Sequence, residues 1–257
     1  MKKYTFFLLI FTFVSMICLS GCSFDKKEPT DKERILERGY LIVGVKTDSP
    51  PFGYYDKNNV LKGIDIELSK KIAAAIFNED NPANVKFVAV TPQNRISKLN
   101  SKEIDILVAT MSVNEKRKLV IDFSVPYFQT TQKIMVRPLS KIKSLYYFNK
   151  TGRLAVVMGT TGEKIIRLII PNAQVVGAKT YREAYNFLIN NQVDAIFGDD
   201  CILKGLNDGK FKVINRAYSR EFYAVALRKS EDSKEMLNII NPLILTLLDK
   251  KSLNLPQ

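Results

Sequence analysis

The sequence has no histidine and no tryptophan among its 257 residues, and only three cysteines, Cys18, Cys22 and Cys201. Without histidine, a Ser-His or Cys-His hydrolase is excluded. Without histidine or a cysteine cluster, a transition-metal site lacks its usual ligands, and no cofactor is expected. Long apolar runs are also scarce. The one candidate, Phe6 to Leu19, is broken by Thr12 and Ser15 and preceded by Lys2 and Lys3. It is short for a bilayer span, and its flanks fit a signal peptide.

That run ends in Leu19-Ser20-Gly21-Cys22, which resembles the bacterial lipobox, where the cysteine is acylated and becomes the new N-terminus. The expectation is a signal peptide over 1–21, lipidation at Cys22, and a polar tether over 22–34. One acyl chain binds a membrane only marginally, so stable anchoring implies at least two. The alternative is an ordinary secretory signal with an unrelated cysteine. If Cys18 leaves with the signal and Cys22 carries lipid, Cys201 is alone. No intrachain disulfide then forms, and Cys201 reads as a small buried residue.

The formal net charge is +13. A secreted chain of this charge is expected to face an anionic membrane or wall and to attract anions, not to bind nucleic acid. The residues after the tether suffice for one large core or two small ones.

Strand and helix patterns alternate along the chain. Strands are expected at Tyr40–Lys46, Val85–Val90 and Ile104–Thr110, with helices at Gly63–Phe77 and Asn94–Lys102 between them. The same order recurs. Strands at Leu154–Met158, Gln174–Val176 and Val193–Phe197 alternate with helices at Gly162–Ile170 and Tyr181–Asn190. This order makes parallel sheets flanked by helices. The segments RISKLNSKEIDILVAT and REAYNFLINNQVDAIFGD match locally, and Asp105 and Asp194 in them read as strand-start residues. Strand-like Gln132–Val136 and Phe222–Leu227 lie between and after the halves, and an amphipathic helix closes the chain over Ser233–Lys250. The architecture is α/β: two lobes, each a mostly parallel sheet with flanking helices, joined by two hinge crossings. Lobe 1 is expected at 35–131 and 223–257, and lobe 2 at 132–222.

Ligands of open parallel sheets bind beyond the carboxyl ends of the strands. Those positions hold Lys46 to Asp48, Thr110 to Ser112 with Arg117, Gly159 to Gly162, and Gly198 to Asp200. A zwitterion suits this set. Arg117, Ser112 and Thr161 offer donors to a carboxylate, and Asp199 offers an acceptor to an ammonium. The competing structural reading makes Arg117 a surface residue and Asp199 a turn residue. Asp48 and Asp200 read as solvated.

Four segments, LIVGVKTDSPPFGYYDKNNVLKGIDIELSKKIA, IDILVATMSVNEKRKLVIDFSVPYF, GTTGEKI and VDAIFGDD, together resemble the family 3, or polar amino-acid-binding, receptors of ABC importers. The resemblance covers about Ile35 to Asp249 and implies the type II periplasmic-binding-protein-like fold. It gives Arg117 and Ser112 the ligand α-carboxylate, with Thr161 as their partner from the second lobe. It gives Asp199 and Thr110 the α-ammonium. Phe52 and Tyr54 become candidates for an aromatic wall. Lys46 and Arg95 would face the ligand side chain, and two cations there favour glutamate or aspartate, with glutamine next. The structural alternatives are a solvated Lys46 and a capping or pairing Arg95. The chain departs from many relatives in its short C-terminus and in Ser49, which falls near a usual aromatic position.

The resemblance implies a monomeric receptor that is not an enzyme. It would take a free amino acid to the transmembrane permease of an ABC importer, held outside the cytoplasm by lipid on Cys22. An extracellular amino-acid sensor or adhesin with the same fold is the alternative. Some relatives of the fold are dehydratases, but no added catalytic domain is seen here.

Overall fold

The computed structural model describes residues 28–253, 255 and 256, so the signal peptide, Cys22 and the tether through 27 lie outside the described residues. In chain order, the first elements are α1 (Asp31–Arg38), β1 (Leu41–Val45), β2 (Asp48–Ser49), β3 (Gly53–Tyr55), β4 (Leu61–Lys62) and α2 (Ile64–Phe77). There follow β5 (Val85–Ala89), α3 (Arg95–Asn100), β6 (Ile106–Leu107), α4 (Glu115–Lys118), β7 (Ile121–Phe123) and the long β8 (Phe128–Val136). The next group is β9 (Arg153–Val157), α5 (Thr161–Ile169), β10 (Gln174–Ala178), α6 (Tyr181–Ile189), β11 (Ala195–Asp199), α7 (Asp200–Leu206) and β12 (Lys212–Val213). The chain closes with β13 (Arg220–Tyr223), β14 (Ala226–Arg228) and α8 (Ser233–Asp249).

Two sheets define two α/β lobes. The first has the order β5-β1-β6-β14-β7, with β1 parallel to β5 and β6 and with β14 antiparallel to both its neighbours. The second has the order β10-β9-β11-β8-β12, with β9 parallel to β10 and β11. Strands between helix layers are buried on both faces, so they read as apolar runs: Leu41, Val43 and Val45 in β1 and Leu154 to Val157 in β9 are all buried.

Asp105 and Asp194 have matching roles. Each accepts a hydrogen bond through Oδ2 from the backbone N–H of the neighbouring parallel strand, Ile42 (2.7 Å) and Arg153 (2.8 Å) respectively. Each also donates its own N–H to the carbonyl of that same residue. The carboxylate thus satisfies a backbone donor where the ladder begins. Asp105 additionally pairs with Arg38.

Two extended segments join the lobes. The first half of β8, Phe128 to Thr131, pairs antiparallel with β13, whereas its second half, Gln132 to Val136, pairs with β11 in the second lobe. The apolar stretch Phe222–Leu227 is broken: β13 ends at Tyr223, and β14 resumes at Ala226 in the first sheet. The returning strand therefore changes sheets within a few residues. Helix α8 packs on α1 and α2 of the first lobe.

The tether expectation needs one correction. It ran to residue 34, but α1 begins at Asp31, where Asp31 pairs with Arg228 (2.6 Å) and Lys32 pairs with Glu235 (2.9 Å). Ile35 is buried beneath it. The polar composition of this segment concealed a helix anchored by charge and one apolar contact. Among the described residues, no helix is long and apolar enough to cross a membrane.

Candidate functional site

Lys46, Arg95, Thr110, Ser112, Arg117, Thr161, Asp199 and Tyr181 line one cleft between the lobes. The parallel strands point their carboxyl ends at it from both sides. Its walls are close together: about 10 Å³ is open to the centre of a water-sized sphere, room for about one water.

From the first lobe, α4 delivers Arg117. Its N-cap Asn114 accepts the Arg117 N–H through Oδ1 at 3.0 Å, which starts this short turn in the right place. The guanidinium donates through Nη1 to the Ser112 carbonyl (2.6 Å) and through Nη2 to the Gly159 carbonyl across the cleft (3.4 Å). Burial lowers its pKa, opposed by the negative charges of Glu221 and Asp199. Arg95, the first residue of α3, donates through Nη1 to the Ala109 carbonyl (2.8 Å), while its buried Nε has no hydrogen-bond partner among the described residues. Burial, and then repulsion from Arg117, push its pKa down to about 9.

Thr110 occupies the left-handed region with φ 46°, unusual for a β-branched residue. Asp65 holds it there. That fully buried carboxylate accepts the Thr110 N–H at Oδ2 (3.0 Å) and the Tyr127 hydroxyl at Oδ1 (2.7 Å). Burial raises the Asp65 pKa to about 7 against these stabilising bonds. Gly63 sets the entry of α2: its φ is 122°, and a Cβ there would meet the Phe52 carbonyl oxygen at 2.0 Å.

From the second lobe, β11 ends on Asp199. The Tyr223 hydroxyl donates to Asp199 Oδ2 (2.5 Å), and Oδ1 is buried with no partner among the described residues. Burial first, then repulsion from Glu221, raise the Asp199 pKa to about 6. The nearby Gln132 amide donates instead to Thr161 Oγ1 (2.7 Å). Thr161 in turn donates to Glu221 Oε2 (2.8 Å), whose other oxygen accepts from Ser219 (2.8 Å). Gln132 and Glu221 lie on the two crossing segments, so the hinge is wired into the cleft. Thr160 caps α5 by accepting the Glu163 N–H, and Thr180 caps α6 by accepting the Glu183 N–H.

Four expectations change. Phe52 and Tyr54 do not line the cleft. Phe52 is fully buried with its ring edge-on to Phe128 and Tyr223, and Tyr54 lies on the β3 hairpin beside Lys62. The aromatic at the cleft is Tyr181. Asp48 is not solvated: Oδ1 pairs with Lys46 Nζ (2.5 Å), and Oδ2 accepts the Tyr181 N–H (2.8 Å). Asp200 bridges Lys133 (3.1 Å) and Lys204 (2.9 Å). The cation pair also changes character, because Lys46 is 1% exposed and its charge is matched by Asp48. Burial lowers the Lys46 pKa, opposed by Asp48. Cys201 is buried 3.6 Å from the Tyr223 hydroxyl, and burial pushes its thiol up to about 12, away from reactivity.

Sequence reasoning missed Tyr181, Tyr223, Glu221, Gln132 and Asp65. Tyr181 lines the cleft from a helix start, while Tyr223, Glu221 and Gln132 lie behind it on the crossing segments and bond Asp199 and Thr161, and nothing in their local pattern marks a site. Asp65 alone carried a sequence cue, an acid on the apolar face of an amphipathic helix.

The profile of the bacterial extracellular solute-binding proteins, family 3, matches residues 41–254. The chain is similar to the ABC transporter glutamine-binding protein GlnH of Bacillus subtilis, 32% identical over 245 residues and covering 91% of this chain and 88% of that protein. It is also similar to the glutamine-binding protein of Geobacillus stearothermophilus, 32% identical with 86% and 91% covered. Among solved structures, the cysteine-binding protein from Campylobacter jejuni superposes with a TM-score of 0.81 at 29% identity, over 88% of this chain and 90% of that one.

Proposed function

The chain belongs to the bacterial extracellular solute-binding proteins, family 3, and from that premise we propose that it is the receptor of an ABC importer for a free polar amino acid, glutamine or glutamate. One observation carries this reading: a buried guanidinium and a buried carboxylate, Arg117 and Asp199, face one cleft from opposite lobes. A zwitterion satisfies both. Its carboxylate replaces weak carbonyl contacts on Arg117 with charge-assisted bonds, helped by Ser112 and Thr161. Its ammonium meets the unpartnered Asp199 Oδ1 beside Thr110. The desolvation that strains both protein charges in the free state favours the ligand that pairs them.

Lys46 and Arg95 receive the side chain. With Lys46 matched by Asp48, the positive excess at this end is smaller than two free cations would give. An amide oxygen or a carboxylate can each accept there, which keeps glutamine level with glutamate. The glutamine-binding relatives support glutamine of this pair.

The walls are too close to admit an amino acid without parting, so binding proceeds by hinge motion about β8 and β13. Lobe 1 then comprises 31–131 and 223–253, with α1 included, and lobe 2 comprises 132–222. The protein acts as a monomer outside the cytoplasm, anchored by lipid on Cys22, and its closed form docks on the permease. It acts as a binding protein and not as an enzyme, the polar groups of the cleft pairing with ligand charges.

Thermal unfolding with each amino acid in turn tests this. With no tryptophan, calorimetry or an external dye reports the transition. Ligand at 1,000 times its Kd adds about 4 kcal/mol. Glutamine or glutamate is expected to produce the largest shift, and Arg117→Ala is expected to abolish it. A large shift only with arginine or lysine would overturn the side-chain assignment, and no shift with any amino acid would overturn the receptor reading.

A further inference from the structure

We infer that Asp48 is a positioning residue that couples the side-chain end of the cleft to lobe closure: one carboxylate orients Lys46 and, from the first lobe, bonds the first turn of α6 in the second. This rests on the receptor reading above.

The geometry has two halves. Within the first lobe, Asp48 sits in β2, whose register pairs Asp48 with Tyr54 of β3. Ser49 Oγ donates to Asp48 Oδ1 (3.2 Å), and that same oxygen holds Lys46 Nζ (2.5 Å). The hairpin thus fixes the carboxylate, and the carboxylate fixes an ammonium that is 1% exposed at the end of β1. Across the cleft, Oδ2 accepts the backbone N–H of Tyr181 at 2.8 Å. Tyr181 opens α6, a helix held in the second lobe by the burial of Tyr181, Ala184, Tyr185 and Leu188. Its N–H is one of the donors left unpaired at a helix start, where a negative charge is favoured.

A hydrogen bond between a hairpin of one lobe and a helix start of the other exists only when the lobes are together. It is not the sole contact of this kind. The Gln93 amide reaches the Lys179 carbonyl (3.5 Å), and Arg117 reaches Gly159. The Asp48 bond differs because its acceptor also holds a residue that faces the ligand. An ammonium has three protons. A ligand acceptor that takes one of them on Lys46 steadies the Lys46–Asp48 pair, and so steadies the bond to α6. A ligand lacking that acceptor gains less from closure. Recognition of the side chain and closure are then one linked event, with a coupling read as a change in dissociation rate.

The experiment uses the full chain with glutamine as probe, measuring dissociation rate and Kd together with the radius of gyration by X-ray scattering. Asp48→Ala removes both bonds and is expected to speed dissociation by at least tenfold and to enlarge the liganded radius. Asp48→Asn keeps an acceptor for the Tyr181 N–H but weakens the hold on Lys46. It is expected to restore the compact radius while leaving the preference between glutamine and glutamate altered. A second pair separates the backbone bond from folding effects. Tyr181→Ala keeps the N–H and Tyr181→Pro removes it, and proline is well tolerated at the first helical position. The proline variant is expected to release ligand about tenfold faster than the alanine variant. Asp48→Ala with a dissociation rate within twofold of the parent and an unchanged radius would overturn the inference, as would equal rates for the two Tyr181 variants. If the parent binds no amino acid, the receptor reading fails by itself. Asp48 is then judged on scattering alone, and an unchanged radius in Asp48→Ala overturns it.

Discussion

Replacing Asp199 by asparagine should move stability and binding in opposite directions. The Asp199 pKa is raised from 3.8 to about 6, chiefly by burial. Each unit corresponds to about 1.4 kcal/mol, so holding the carboxylate ionised in the free fold costs about 3 kcal/mol. The sign follows from linkage. A carboxyl whose folded pKa exceeds its unfolded value contributes stability at pH below about 3.8. That contribution is lost as pH rises through about 6. Asparagine removes the charge and keeps an acceptor for the Tyr223 hydroxyl. Its NH₂ group then occupies the unpartnered Oδ1 position, at a cost of about 1–3 kcal/mol. The net expectation at pH 8 is a free protein more stable by about 1 kcal/mol, or about 2–4 °C in Tm. At pH 5 the gain should vanish or reverse, because the parent carboxyl is already protonated. Binding should suffer instead, since breaking a buried charge pair costs about 2–5 kcal/mol. The ligand-induced shift should therefore disappear at both pH values, and the parent's own affinity should fall as pH drops below about 6. Calorimetry at pH 8 and pH 5, with and without glutamine, measures all of this. A variant that is less stable than the parent at pH 8 and still shifts with ligand would refute the reasoning.

Two further expectations concern closure and anchoring. A Cβ on Gly205 of α7 would lie 2.1 Å from the Pro50 carbonyl oxygen, so Gly205→Ala should hold the lobes apart, enlarging the scattering radius and raising the glutamine Kd; an unchanged radius would show that the Pro50 loop yields instead. Cys22→Ser should release the protein from the membrane fraction and end incorporation of labelled fatty acid, and continued labelling would place the lipid elsewhere.

Several elements were legible because their signals are local. The apolar runs of β1, β9 and β11 and the helical spacing of α2 and α8 were each predicted to within a few residues. Short elements were not. Helices α4 and α7 and strands β7 and β12 hold few residues each, too few for a period to show. Strand β6 was expected over Ile104–Thr110 but spans only Ile106–Leu107. Asp105 is bonded to Ile42 at one end, and Thr110 turns left-handed at the other. The stretch Phe222–Leu227 looked continuous because hydrophobicity does not register a change of sheet.

The cleft divides in the same way. Lys46, Thr110, Ser112, Arg117, Thr161 and Asp199 follow strand ends, so topology alone brings them to one cleft. By itself, then, the sequence determined the two α/β lobes and which strand ends meet between them, since these depend on period and on chain order. Only the tertiary structure decided who partners whom. Phe52 turned into the core instead of the cleft, Asp48 took Lys46 and the start of α6, and Glu221 came from the returning crossing to hold Thr161. Apart from the Lys46–Asp48 pair, these pairings join residues far apart in the chain. Their energies depend on burial and on distances within a few ångströms, and no local pattern of residues encodes either.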